Sequence, residues 1–234
     1  RFAEEGATVL LVDRDGDSAA ETLSMLEARG GTGSCLVADV TNAADCQAIT
    51  STCVARYGRM DILHNNVGIG AGDSGATSIS EEVWDRIFEV NIKSVMLTCK
   101  YALPVMRAQG YGCIINISSI AAVCEMALVS YKASKAALNA YTHALATGGA
   151  KYGIRANVIM PGLMNTPMAI EGYVAAGHER ASLIARRNAS VPLRGKMGSG
   201  WDVANAALFL ASDEAQFITG VFLMTSLNRA FPFT

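Results

Sequence analysis

The chain of 234 residues carries little charge and no long run of either sign. Asp, Glu, Lys and Arg make up 17% of it, and the formal net charge is −2. Nucleic-acid binding and electrostatic attraction to a membrane both depend on clustered charge, so we expect neither. No apolar run approaches the roughly 20 residues that a membrane-spanning helix needs, so no membrane partner is expected.

The sequence also lacks the spacings that are typical of metal sites. None of its six cysteines forms a Cys-x-x-Cys motif, and its three histidines are scattered. Because structural and catalytic metals are usually bound by closely spaced Cys and His ligands, we predict no metal site. Cysteines without a pairing pattern are typical of a reducing compartment, which predicts free thiols and a cytoplasmic location.

Hydrophobic residues are abundant, at 51%, and short β-branched runs alternate with longer helical stretches. The predicted strands are 8–13, 34–40, 61–66, 112–118, 154–162 and 220–224. The predicted helices are 16–29, 43–56, 80–107, 127–146 and 201–212, with a looser segment at 163–200. This alternation predicts a single α/β domain with a doubly wound, mostly parallel sheet and helices on both faces.

The first five predicted strands are each closed by polar or small residues. These residues are Asp13, Asp39, Asn65, Asn66, Gly68, Ser118, Ser119, Pro161 and Gly162. Turns favour the same residue types, so each position alone is equally consistent with an ordinary turn. In open α/β sheets, however, ligands bind outside the carboxyl ends of the strands, so the ordered set predicts one ligand crevice.

The helix predicted at 127–146 carries Tyr131 and Lys135 four positions apart, which places both on one face. An ammonium group beside a phenol favours the phenolate and lowers the phenol's pKa, so such a tyrosine could exchange protons near neutral pH. Chance gives roughly 0.2 such pairs in a chain of this composition. The same pair on a solvated helix face would look identical, so the assignment depends on the rest of the sequence.

Eight segments supply that context in a characteristic order: "DRD", "ADVT", "NNVG", "NIKS", "INISS", "YKASK", "IRANVIMPGLMNTPM" and "ALFLASDEAQFITG". On these segments the chain resembles the short-chain dehydrogenase/reductase family over essentially its whole length. The resemblance implies a Rossmann-like fold, a nicotinamide cofactor, and oxidation of a small alcohol or reduction of a ketone. It also implies assembly into a homodimer or homotetramer.

The resemblance assigns roles to four catalytic residues. Tyr131 would be the acid/base, and Lys135 would lower its pKa and hold the nicotinamide ribose. Asn91 would support a water chain to Lys135. A serine of "INISS" would bind the substrate oxygen: the spacing of 13 positions to Tyr131 favours Ser118, whereas the following "IAA" favours Ser119. We select Ser119.

Cofactor contacts are predicted in the same way. Asp13 directly follows the first strand, where an acidic residue binds the adenosine ribose hydroxyls and would repel the 2′-phosphate of NADP. We therefore predict NAD as the cofactor. The resemblance implies contacts from Asp39, Val40, Asn66, Gly68, Tyr131, Lys135, Pro161, Gly162 and Thr166. Residues 163–200 correspond to the family's substrate loop.

Two regions depart from the family pattern. The family's first strand and Gly-rich turn do not precede "RFAEEGATVLLVD", and we expect about 20 to 25 further residues ahead of it, because that turn binds the pyrophosphate. That strand would lie in the middle of the sheet, so its neighbours are expected to have an unpaired edge. The ending "VFLMTSLNRAFPFT" differs from the family's "VDGG" closure and makes assembly harder to predict.

These departures leave alternatives to an active enzyme. One is a non-catalytic nucleotide-binding or scaffold relative that the altered termini have inactivated. Another is a nucleotide-sugar epimerase on the same fold, which usually needs a larger C-terminal region than 234 residues allow.

Overall fold

The computed structural model describes residues 1–226 and contains parallel strands alternating with helices. The strands are β1 Thr8–Asp13, β2 Thr32–Val37, β3 Ile62–Asn65, β4 Gly112–Ile117, β5 Ile154–Met160 and β6 Phe222–Met224. The helices are α1 Gly16–Glu27, α2 Ala43–Tyr57, α3 Glu81–Phe88, α4 Ser94–Gln109, α5 Val129–Gly149, α6 Pro167–Ala175, α7 Arg180–Ala189 and α8 Gly200–Ala211. The α/β class predicted from the sequence is confirmed.

The strands form two parallel groups. β1 pairs with β2, and the other four strands pair in the order β3-β4-β5-β6. Within residues 1–226, no ladder joins β1 to β3, so each has one edge without a strand partner. Because all the pairs are parallel, the carboxyl ends of neighbouring strands lie at the same edge of the sheet.

Helices cover both faces of the four-stranded group. Side chains alternate between the faces along β4 and β5, as they must in a strand. Ile114 and Ala156 belong to a buried cluster that includes residues of α4 and α5. Ile115 and Ile159 belong to a second buried cluster, which includes residues of α8. Every residue of β4 and β5 is buried, so this layer is the core of the molecule.

The long helix predicted at 80–107 is interrupted. α3 ends at Phe88, five π-helical residues follow at Glu89–Lys93, and α4 continues from Ser94. Single π-helical turns inside α-helices occur frequently at functional sites. The turn contains Asn91, whose side chain is bonded to the backbone of a distant loop. A local apolar pattern does not reveal that tertiary contact.

The segment predicted to be loose at 163–200 contains two helices. Pro167 occupies the first position of α6, where its missing N–H costs nothing. Glu179 caps α7 by accepting from the backbone N–H groups of Ala181 and Ser182 at 2.8 and 2.6 Å. Buried apolar side chains from this segment form a small cluster of their own: Ile170, Leu183, Val191 and Met197.

Four strand ends differ from the prediction, including that of β4, which ends at Ile117 rather than residue 118. β2 ends at Val37 rather than residue 40, because the Asp39 carboxylate accepts from the backbone and side chain of Thr41 and forms a turn. β3 ends at Asn65. β5 ends at Met160, since the following Pro161 has no N–H to continue the ladder. Most of the unusual C-terminal segment, residues 227–234, lies outside the described residues.

Candidate active site

The two serines that follow β4 point to different partners. Ser118 is buried and its hydroxyl donates to the carbonyl oxygen of Lys135 at 3.0 Å. Ser119 begins a short 3₁₀ turn, where its hydroxyl accepts from the N–H of Ala121 at 3.1 Å. The side chain of Ser119 also lies close enough to the phenol of Tyr131 to lower its pKa. Of the two, Ser119 therefore lies beside the candidate acid/base.

The pKa of Tyr131 departs in the direction opposite to the one predicted from its spacing to Lys135. Burial raises the pKa of the phenol above its ordinary value, and the hydrogen bond from Ser119 offsets only part of that effect. The Lys135 Nζ lies 5.7 Å from the centroid of the tyrosine ring and donates instead to the carbonyl oxygen of Ile117 at 2.8 Å. A raised pKa favours the protonated phenol.

Lys135 is one of the few buried lysines a protein tolerates, with 3% of its surface exposed. Burial lowers the pKa of its ammonium group from 10.5 to about 8, because desolvation disfavours the charged form. Gly68 makes room for it: a Cβ at that position would lie 3.0 Å from Nζ and 3.4 Å from the Asn91 Oδ1. Any larger residue at 68 would therefore displace the ammonium group.

Asn91 links the loop after β3 to helix α5. Its Oδ1 accepts from the N–H of Ile69 at 2.8 Å, and its Nδ2 donates to the carbonyl oxygen of Ile69 at 2.9 Å. The same Nδ2 donates to the Ser134 hydroxyl at 3.0 Å, and that hydroxyl donates to the carbonyl oxygen of Tyr131 at 2.8 Å. Asn91 thus holds the backbone around Tyr131, and within residues 1–226 its side chain forms no direct hydrogen bond with Lys135.

Sequence analysis did not single out two residues at this site. Ser134 lies inside the quoted "YKASK" segment, three positions after Tyr131, where a helix brings side chain and backbone together. Asp73 lies in the glycine-rich loop after β3 and accepts from the N–H of Tyr131, 58 positions away. No local pattern marks a contact of that separation, so only the fold reveals it.

The predicted adenosine contacts lie at the carboxyl edge of the first strands. Asp13 is exposed at the end of β1, and its Oδ1 accepts from the N–H of Asp15 at 2.9 Å. Asp39 lies in the turn after β2, where hydrogen bonds from Thr41 lower the pKa of its carboxyl group. Val40 follows it, and Asn66 is exposed just beyond β3.

The remaining predicted contacts follow β5. The carbonyl oxygen of Pro161 accepts from the N–H of Ile120 at 3.1 Å, which ties this segment to the turn that begins at Ser119. A Cβ on Gly162 would lie 2.7 Å from the Cβ of Ser226, so only glycine fits there without a shift. Thr166 is the N-cap residue of α6 but makes no capping hydrogen bond with its side chain.

These residues fit the two ends of a nicotinamide dinucleotide. An exposed carboxylate such as that of Asp13 can accept hydrogen bonds from ribose hydroxyls. The space above Gly68, which a Cβ would fill, lies next to the Lys135 ammonium group, a donor for a second ribose. The side chains of Ser119 and Tyr131 lie close together beyond the end of β4, where the phenol could exchange a proton with a substrate.

Comparison with known proteins identifies the family. The family model described as enoyl-(acyl carrier protein) reductase matches residues 1–226. The chain belongs to the short-chain dehydrogenase/reductase family. It is therefore an oxidoreductase, as the resemblance of its sequence segments implied.

Similar members of this family include dehydrogenases of cyclic alcohols. The chain is 37% identical over 222 residues to 2,5-dichloro-2,5-cyclohexadiene-1,4-diol dehydrogenase LinX of Sphingobium indicum, covering 94% of this chain and 85% of that protein. It is 36% identical over 220 residues to cyclopentanol dehydrogenase of Comamonas testosteroni, with the same two coverages of 94% and 85%.

A solved structure supports the same placement within the family. The structure of 3-ketoacyl-(acyl-carrier-protein) reductase from Brucella melitensis, complexed with NADH, superposes with a TM-score of 0.87 at 30% sequence identity. The match covers 98% of this chain and 91% of that one.

Other properties of this family member follow from the described residues. None of the helices within residues 1–226 is long and apolar enough to cross a membrane. In the same part of the chain, no group of three or more His, Cys, Asp or Glu side chains is placed to hold a metal ion. All six cysteines are free thiols.

Proposed function

We propose that this protein is an NAD-dependent oxidoreductase that interconverts a secondary alcohol and a ketone. The observation that carries the proposal is that the Ser119 side chain lies beside the phenol of Tyr131. Tyr131 in turn lies one helical turn before the buried Lys135. The alcohol dehydrogenases among its relatives support the reaction class.

Tyr131 is the proposed acid/base. In ketone reduction, the protonated phenol donates its proton to the carbonyl oxygen while hydride reaches the carbonyl carbon, which gives the alcohol. In alcohol oxidation, the phenolate takes the hydroxyl proton and the carbon loses hydride, which gives the ketone. A bound nicotinamide would supply or accept that hydride and, when oxidised, would bring positive charge that favours the phenolate.

Ser119 and Lys135 orient the reacting groups in this proposal. The Ser119 side chain lies beside the phenol, and its single O–H group would donate a hydrogen bond to the substrate oxygen. Lys135 would turn from the carbonyl oxygen of Ile117 towards the nicotinamide ribose and the phenol. Asn91 keeps the loop after β3 and helix α5 at a fixed separation.

We assign NAD rather than NADP as the cofactor because of Asp13. Its carboxylate is exposed at the end of β1, where it would bind the adenosine ribose and repel a 2′-phosphate. Asp39 and Val40 would lie near the adenine. The central part of the dinucleotide would contact Asn66 and Gly68. The nicotinamide end would contact Pro161, Gly162 and Thr166.

The proposed substrate is a small secondary alcohol, with cyclic alcohols tested first because of the two dehydrogenases above. The segment 163–200, which includes α6 and α7, would form one wall of the substrate pocket. Met168, 56% exposed at the start of α6, is a candidate for that wall, since its Cε lies 3.8 Å from where a Cβ of Gly70 would be.

The test is a screen of secondary alcohols with NAD, read at the NADH absorbance, for the unmodified protein and for Tyr131→Phe. Removing the acid/base should lower kcat by about 10²- to 10⁴-fold, while NADH titrated by fluorescence should bind both proteins alike. If Tyr131→Phe retains more than about a tenth of the rate, Tyr131 is not the acid/base. If NADH binds and no alcohol or ketone reacts, the protein is a non-catalytic relative.

We further propose that the protein forms a homodimer or homotetramer in the cytoplasm. Large apolar side chains are exposed along α3 and α4, including Trp84 and Met96 at 38% and 37%. Exposed apolar patches usually mark interfaces, and soluble oligomers are usually symmetric. The free cysteines are consistent with a reducing compartment. Sedimentation at micromolar concentration tests the assembly, and a monomer would contradict it.

A further inference from the structure

The helix that carries Tyr131 begins without a capping side chain of its own. Its N-cap residue is Leu128, which has no hydrogen-bond acceptor in its side chain. The first N–H groups of any helix lack partners inside the helix and must find them elsewhere. Here the loop after β3 supplies them, beginning with the carbonyl oxygen of Ser74, which accepts from the N–H of Val129 at 3.2 Å.

The carboxylate of Asp73 accepts the next two N–H groups. Its Oδ1 accepts from Ser130 at 3.2 Å, and its Oδ2 accepts from Tyr131 at 2.7 Å. The Oδ1 also accepts from Ser74 at 2.8 Å, which fixes the carboxylate to its own loop. One side chain therefore holds the backbone nitrogen of the candidate acid/base from a distance of 58 positions along the chain.

The bond from Asp73 closes a ring of contacts around Tyr131. The carbonyl oxygen of Tyr131 accepts from Ser134, whose hydroxyl accepts from Asn91. Asn91 binds the N–H and carbonyl groups of Ile69, at the beginning of the loop that leads to Asp73. The backbone of Tyr131 is thus held on both sides of its Cα by one connected network.

The loop also touches the tyrosine ring. A Cβ on Gly70 would lie 3.3 Å from the Tyr131 Cδ2, so the loop backbone packs closely against the ring. Gly72 adopts a left-handed φ of 82°, which lets the loop turn back towards the helix. A shift of this loop would move the ring contact and the cap together.

We propose that Asp73 is a positioning residue that holds the phenol of Tyr131 in register with Ser119. The inference rests on the proposed function, because it gives Asp73 a role in that reaction. A carboxylate suits the task because it accepts two N–H groups at once and lies at the positive end of the helix dipole. A misplacement of about 1 Å can cost 10²-fold in rate.

The experiment compares Asp73→Ala and Asp73→Asn with the unmodified protein. Asparagine keeps the shape and one acceptor oxygen but loses the second acceptor, so it should fold even if alanine does not. The control is Asp202→Ala, which removes a carboxylate from the start of α8, where it accepts from the backbone N–H and the hydroxyl of Ser199. Three quantities are measured: kcat, the Kd of NADH, and amide hydrogen exchange at 129–132.

Asp73→Ala should lower kcat by about 10- to 100-fold, Asp73→Asn by less, and Asp202→Ala by less than about twofold. The Kd of NADH should change less than about threefold, since the residue acts on orientation rather than on cofactor binding. Amide exchange at 129–132 should accelerate most in Asp73→Ala, less in Asp73→Asn, and not in Asp202→Ala.

Two results would overturn the role of Asp73. One is a kcat for Asp73→Ala within about twofold of the unmodified protein. The other is unchanged amide exchange at 129–132. These results differ from failure of the proposed function, in which the unmodified protein itself oxidises no alcohol.

Discussion

The two groups of strands are buried to very different degrees. Every residue of β4 and β5 is buried, whereas β1 and β2 are exposed at both ends and only half-buried between them. α1, which packs on the two-stranded group, has Ala19 as its buried residue. The candidate catalytic residues lie on or next to the buried group, and the candidate ribose-binding Asp13 lies on the half-buried group of β1 and β2. Mutations in the buried group are therefore expected to change the rate of reaction, and mutations in the half-buried group are expected to change the choice of cofactor.

The buried group also contains polar side chains that are paired with one another. Asn65 donates to the Asn116 Oδ1 at 2.9 Å, and Asn116 donates to the Thr142 hydroxyl at 2.8 Å. Thr98 donates to the Asn65 Oδ1 at 2.9 Å. Leaving one buried polar group unpaired costs about 1–3 kcal/mol, so this network ties α4, α5 and the sheet into one arrangement.

The largest difference is expected between the two neighbouring serines. Ser119→Ala removes the hydroxyl beside the Tyr131 phenol, and should lower kcat by about 10²- to 10³-fold, as the loss of an oxyanion donor does. Ser118→Ala removes only a bond to the carbonyl oxygen of Lys135, and should lower kcat by less than about tenfold. Steady-state kinetics of both variants with one alcohol makes the comparison. The reverse ranking would assign the substrate contact to Ser118.

The fold was predictable because its signals are local. Apolar runs such as "TVLLVD" and "GCIINIS" became β1 and β4, and the alternation of strands with helices predicted the fold class. Strand ends were less accurate, since side-chain turns decide them, as Asp39 does after β2.

The parts of the site that were not predictable depend on contacts between distant segments. The π-helical turn at Asn91 is bonded to Ile69, and the cap on Tyr131 comes from Asp73. The direction of the Tyr131 pKa depends on burial, which spacing along a helix does not measure. The roles of Tyr131, Lys135 and Ser119 remain predictions until activity is measured.

Replacing one arginine in each strand group compares how much the two groups contribute to stability. Arg155, on β5, is buried and donates to carbonyl oxygens at the end of α8, including that of Leu210 at 2.6 Å. Arg155→Met would remove the charged donor from those oxygens and leave that of Leu210 with only a contact from the Cys113 thiol, so it should lower the free energy of unfolding by about 3 kcal/mol. Arg56 is exposed and donates to the Ser34 hydroxyl at 2.6 Å, so Arg56→Met should cost less than about 1 kcal/mol.

Urea denaturation measures both arginine variants, through the shift of the midpoint at constant slope. Equal losses for the two variants would mean that the two-stranded group contributes as much to stability as the buried one. A change of slope in either variant would instead indicate an altered unfolded state.

The smallest expected effect concerns the choice between NAD and NADP, and it depends on a residue of the half-buried strand group. The Asp13 carboxylate is exposed at the end of β1, and it would face the 2′-phosphate of NADP at close range. Like charges at that distance repel, although solvent weakens the repulsion at an exposed site, so a preference for NAD of at least about tenfold is expected.

Asp13→Ala should reduce that preference to less than about threefold, with little change in stability, because the removed side chain is exposed. Arg14 follows directly, in a bend, and could pair with the phosphate, but its charge already acts on the carboxyl groups of Asp15 and Asp39, so the Asp13 carboxylate should dominate until it is removed. Asp17→Ala is the matched control, since it removes an exposed carboxylate from the first turn of α1 without touching the end of β1. The ratio of kcat/KM for NAD and NADP with one alcohol measures the effect. If the unmodified protein uses both cofactors equally, Asp13 does not select the cofactor, and Arg14 becomes the residue to replace.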